Sequence, residues 1–184
     1  MRKTIGVLLV TFSVAAHSAP AADTCQAQIP EQLSTSLKKQ FPGYRPPLAT
    51  DNLAEDIEWN IKEGGKGCLG VAIADFDGDG SKDFLLGLTS LDGKGTLVTV
   101  ALTRGSSWDF HTLGSWKEGR SRLYMAAEKP GLFKRTKSLN GALGPGEKES
   151  MSCSNPGALF GATESSGVVY CYAKGKWHHV WVSD

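Results

Sequence analysis

The chain has 184 residues, 40% of them hydrophobic, with 20 Lys and Arg against 19 Asp and Glu. A net charge of +1 excludes a protein that relies on bulk positive charge to hold nucleic acid or an anionic membrane surface. The length suffices for one domain with a hydrophobic core of its own.

The chain opens "MRKTIGVLLVTFSVAAHSAPAADTC". Arg2 and Lys3 give a positive start, Ile5 to Ala16 is an apolar run too short to span a bilayer, and Ala19-Pro20-Ala21 supplies small residues for cleavage. Residues 1–22 therefore read as a secretory signal peptide, and 23–184 as a single domain. Asp23-Thr24 before Cys25 is not a lipid-acylation box. The expectation is a soluble periplasmic or secreted protein without membrane insertion. Loss of Arg2 and Lys3 with the leader brings the net charge to about −1.

Cys25, Cys68, Cys153 and Cys171 all lie beyond the leader. An even number in an exported chain predicts two disulfides, for which three connectivities are possible. Cys25–Cys68 with Cys153–Cys171 is favoured because each pair ties neighbouring segments. Zinc is disfavoured because no C-x-x-C pair occurs.

Residues 23–66 read as a helical part. In "IPEQLSTSLKKQF", Ile29, Leu33, Leu37 and Phe41 recur every four residues, and Pro30 suits a helix start. "TDNLAEDIEWNI" predicts a second short helix, capped by Thr50, Asp51 or Asn52, with Leu53, Ile57 and Ile61 as its buried stripe. Residues 67–184 read as β-rich. "LGVAIADF" and "DFLLGLTS" are strands, and "TLVTVALTR" sets Val98, Val100 and Leu102 on one face against Thr99, Ala101 and Thr103 on the other. "GVVYCYAKGKWHHVWV" is a hairpin around Lys174-Gly175-Lys176, similar in plan to "TLVTVALTRGSSWDFHTL". "KSLNGALGPGEKESMSCSNPG" reads as a long surface loop. The fold class is thus α+β: short N-terminal helices on an antiparallel, hairpin-rich β region, β-propeller-like or a meander, with two disulfides.

Between the first two β-type runs lies "DFDGDGSKDF", with Asp75, Asp77, Asp79 and Asp83 at alternate or near-alternate positions. Carboxylates this close repel one another, and a calcium ion with its six to eight oxygen ligands resolves the repulsion. Gly78 and Gly80 permit the tight curl this needs. Asp75, Asp77, Asp79 and Asp83 supply side-chain oxygens and Ser81 its backbone carbonyl. An EF-hand starts alike but needs a carboxylate at its twelfth position, which is Leu86 here, and helices on both sides.

"ADFDGDGSKDFLLG" resembles the calcium loop of FG-GAP or VCBS repeats, the class found in integrin-α propeller blades. The resemblance covers about fifteen residues. It implies a loop joining two strands, with ligands on Asp75, Asp77, Asp79, Ser81 (through its carbonyl) and Asp83. It also implies an ion saturated by protein, and so a structural role rather than a catalytic one.

Other chemistry is sparse. Ser165 and Ser166 with a C-terminal His (His178 or His179) form a conceivable hydrolase set, but "TESSGVV" lacks the G-x-S-x-G elbow. His178 and His179 are adjacent on a strand and point to opposite faces. Trp108, Trp116, Trp177 and Trp181 read as core. Residues 117–137 are basic and 51–63 acidic, read as solvated faces, with a basic binding face as the functional alternative. The expected function is that of an exported, calcium-binding, non-catalytic and monomeric protein that binds another protein, such as a periplasmic inhibitor or immunity-type protein. A cell-envelope or carbohydrate-binding module is the second reading and a hydrolase the third.

Overall fold

Alternating apolar residues and tight turns build most of this molecule. The computed structural model describes residues 23–118, 122–139 and 141–183. The signal peptide read at 1–22, and Arg120 of the basic segment, lie outside the described residues. The elements are helices α1 (Glu31–Gln40) and α2 (Ala54–Lys62) and strands β1 (Tyr44–Arg45), β2 (Val71–Ala74), β3 (Asp83–Ser90), β4 (Thr96–Arg104), β5 (Ser107–Trp116), β6 (Leu123–Glu128), β7 (Gly131–Lys134), β8 (Ser150–Cys153), β9 (Gly157–Ala162), β10 (Gly167–Ala173) and β11 (Lys176–Ser183). Every strand pair is antiparallel. β2, β3, β4 and β5 form a meander, with β1 added beside β2 on the free edge of β3. A second sheet runs β11-β10-β9-β6, and β7 and β8 form a separate ribbon.

The two faces of the first sheet bury different neighbours. Phe84, Leu86, Leu88, Leu97 and Ala101 pack against Leu33 and Leu37 of α1 and the Cys25–Cys68 disulfide. Leu85, Val98, Val100 and Leu102 face Met125, Ala158, Phe160 and Val168 of the second sheet. Strand β3 is therefore buried on both sides, which explains why "DFLLGLT" is a near-continuous apolar run rather than an alternating one. The outer face of the second sheet, Leu159, Val169 and Cys171, is covered by Phe133 and Met151 of the ribbon. The Cys153–Cys171 disulfide fastens that ribbon down. Helix, sheet, sheet and ribbon thus stack in order.

Both pairs of neighbouring cysteines are joined as the sequence favoured. The two similar hairpins, β4–β5 and β10–β11, lie face to face, and the Tyr170 hydroxyl donates to the Leu113 carbonyl across the gap at 3.0 Å. Lys174 and Gly175 both have positive φ, 51° and 78°, as a two-residue hairpin turn requires.

Three local readings need correction. The Gly/Ser-rich stretch is not wholly loop, because Met151 and Cys153 point inward as part of β8. It also carries Glu147, whose carboxylate accepts from the Arg135 guanidinium at 2.8 Å in a largely buried pair. The stripe Leu53, Ile57 and Ile61 does not enter the core: Ile57 and Ile61 flank Gly67 of the following return, and Ile61 is 55% exposed. The buried residue of α2 is Asp56. The cap position is held by Leu53, because Asp51 is drawn into an ion pair with Arg45 and the Asn52 amide donates to the Leu123 carbonyl at 2.7 Å.

Candidate metal centre

The acidic loop closes the β2–β3 hairpin. Ala74 pairs with Asp83, so residues 75–82 bulge from the end of the first sheet. Phe76 anchors this bulge with no exposed surface, deep between the sheets. The curl follows from Gly78 and Gly80, with φ of 79° and 88°. Gly78 also lies against the second sheet. A Cβ there would lie 2.6 Å from the Asn155 side-chain oxygen, which comes from the β8–β9 connection.

The loop carboxylates are held by backbone donors. Asp75 accepts from the amides of Gly78 at 2.7 Å and Gly80 at 2.9 Å. Asp79 accepts from the Ser81 amide at 2.8 Å. Asp83 is fully buried, and its two oxygens accept from the amides of Phe76 at 2.9 Å and Thr103 at 2.8 Å. These bonds aim the side chains before any ion arrives.

Asp75, Asp77 and Asp83 each place one oxygen so that all three lie within 4.8 Å of one another. Two ligands of one calcium ion, each at about 2.3–2.6 Å, are separated by about 5 Å at most. The triple is therefore close enough to share one cation. Burial, and after it the charges of Asp77 and Asp79, push the Asp83 carboxyl above the usual carboxylate range. A bound cation would oppose both effects.

Asp79, read from sequence with the other ligands, stands outside the triple. Its carboxylate also meets the Arg104 guanidinium at 2.9 Å, and Arg104 reaches Asp77 at 2.6 Å. The bonds from Ser81, and then Arg104, hold the Asp79 carboxyl below its usual range. Ser81 contributes its amide to Asp79. Arg104 and Asn155 were not found by sequence reasoning. The signal for Arg104 was the pairing of β3 with β4, which carries the end of β4 past Asp83 to the loop.

The other candidates disperse. His179 lies opposite Tyr170 and His178 opposite Cys171. Ser166 precedes β10, four residues from Tyr170 and so about 13 Å along the strand. Ser165 and Ser166 thus do not meet the C-terminal histidines. Trp116, Trp177 and Trp181 pack against the inter-sheet cluster and Trp108 against the α1 side, each partly buried rather than enclosed in the core. In the basic segment, Arg122 pairs with Glu164 and Arg135 with Glu147, while Lys117, Lys129, Lys134 and Lys137 are exposed.

The fold and loop define a layered, disulfide-tied β domain with an acidic hairpin tip. No family model, curated protein or solved structure matches the chain.

Proposed function

We propose that this is an exported calcium-binding protein without catalytic activity, which uses the ion as a scaffold and acts by binding another protein. The observation that carries the calcium reading is the convergence of Asp75, Asp77 and Asp83 at the end of the β2–β3 hairpin. In this reading Asp79, released from Arg104, and the Ser81 carbonyl complete the shell. The meander β2–β5 is then a single blade-like unit of the FG-GAP or VCBS kind. The ion neutralises the loop and keeps Phe76 seated between the sheets, so it supports the stack instead of activating a substrate.

Two disulfides suggest an oxidising, extracytoplasmic environment. Among the described residues no helix is long and apolar enough to cross a membrane. The protein-binding role, as an inhibitor or immunity-type protein, rests on compartment and size and on the separation of the serines from the histidines. Its test is retention of an envelope protein by the tagged mature chain, identified by mass spectrometry. One defined protein retained in calcium and released by chelator is expected. Retention of nothing in either condition would contradict the reading.

A further inference from the structure

A cleft of about 650 Å³ opens between α2, the start of β6 and the β9–β10 turn. That is within the range of ligand sites, about 300–1,000 Å³. Glu55, Asp56 and Trp59 line it from α2, facing Arg122, Tyr124 and Glu164. The spacing explains the shared wall, since positions three and four apart on a helix are neighbours.

Three features of this cleft call for a ligand. Asp56 is 6% exposed, yet its Oδ2 has no hydrogen-bond partner. A buried carboxylate without a donor is costly, and the chain has placed one where a helix ordinarily buries an apolar side chain. Arg122 is the one cation among these lining residues, and it is engaged with Glu164 at 3.2 Å. Among the described residues it forms no ion pair with Asp56 or Glu55, and its buried Nε also lacks a hydrogen-bond partner. Trp59 is 59% exposed, an indole standing beside two carboxylates.

We infer that the cleft binds a basic side chain, lysine or arginine, presented by a partner polypeptide. Asp56 and Glu55 take the charged head. Trp59 covers the alkyl stem or guanidinium plane, which adds cation–π attraction. This assignment rests on the protein-binding reading above and gives that partner its chemistry.

The test is a titration of the full mature protein, in calcium, followed by the ¹H–¹⁵N signals of its tryptophan indoles. The probes are Nα-acetyl-lysine methylamide, the arginine equivalent and, as neutral control, the norleucine equivalent. The lysine and arginine probes should shift the Trp59 indole saturably, less so as ionic strength rises, and norleucine should not. Asp56→Asn should weaken binding by about tenfold or more. The remaining indole signals, unmoved in that variant, verify that it is folded. Equal shifts with norleucine, no shift with any probe, or unchanged affinity in Asp56→Asn would each overturn the inference. A partner retained equally by wild type and Asp56→Asn would overturn the cleft assignment and leave the protein-binding reading intact. Shifts of Trp59 in a protein that retains no partner would overturn the protein-binding reading, and with it the polypeptide source.

Discussion

Calcium added to chelator-stripped protein raises its melting temperature, and Asp77→Ala abolishes most of that rise. A ligand at one hundred times its dissociation constant stabilises the native state by about 2.7 kcal/mol. For a chain of this size each kcal/mol is worth about 2–4 °C, so the expected rise is about 5–10 °C. The choice of variant follows from the geometry. In the ion-free protein Asp77 makes one long bond to the Asp79 amide and a pair with the partly exposed Arg104, which keeps Asp79 as a second partner, while its loss relieves repulsion with Asp75 and Asp83. Asp77→Ala should therefore melt close to wild type in chelator and fall behind only in calcium. Asp83 behaves differently. Its carboxylate satisfies the amides of Phe76 and Thr103 inside the fold, so Asp83→Ala orphans both and costs about 2–4 kcal/mol even in chelator. Asp79→Ala, whose carboxylate stands outside the triple, should lose less of the calcium increment than Asp77→Ala. Calorimetric scans of the three variants with and without chelator separate these cases. Equal losses for Asp77→Ala in both conditions would contradict the linkage.

Asp51→Asn is expected to destabilise the protein by about 2–3 kcal/mol near neutral pH, with the deficit vanishing in acid. Asp51 sits in the turn between β1 and α2. It accepts from both guanidinium nitrogens of Arg45, at 2.8 and 2.6 Å, from the Leu48 amide at 2.9 Å, and from the Thr89 hydroxyl at 2.7 Å. The last bond ties the N-terminal part to β3. Burial pushes the Asp51 carboxyl up, but the bonds from Arg45, Leu48 and Thr89 outweigh it and bring it down to about 2. A folded-state value below the unfolded one adds stability above the unfolded value, near 3.8, and loses it as pH falls toward about 2. The difference corresponds to about 2 kcal/mol. Asp83 has the opposite sign: its carboxyl is held up by burial, so in the ion-free protein its contribution is full below the unfolded value, near 3.8, and is lost as pH rises above it toward the folded one. Comparing wild type with Asp51→Asn cancels the Asp83 term. Urea unfolding across the acid range should show the two curves converging. A gap independent of pH would show that packing, not the ion pair, carries the effect.

The parts legible in the sequence are those set by near neighbours. The face Val98, Val100 and Leu102 was readable from alternation, the β10–β11 turn from Lys174-Gly175, and the disulfides from joining consecutive cysteines. The convergence of Asp75, Asp77 and Asp83 follows from spacing within one hairpin. What escaped depends on distant partners. Arg104 reaches the loop only through the β3–β4 register, where it pairs with both Asp77 and Asp79. Asn155 arrives from the other sheet. Helix α2 looked like a core helix because Leu53, Ile57 and Ile61 have the right period. Its neighbours turned Asp56 inward and left Trp59 and Ile61 outside, an outcome periodicity cannot register. Ribbon strand β8 was hidden because Ser-Met-Ser-Cys carries only two apolar residues, both used to cap the second sheet.

The most direct measurement is an anomalous difference map from crystals of the mature protein grown in calcium. The account predicts one peak at about 2.3–2.6 Å from oxygens of Asp75, Asp77 and Asp83, enclosed by protein ligands. Density lacking that peak, or an ion there whose coordination opens onto a groove, would contradict it.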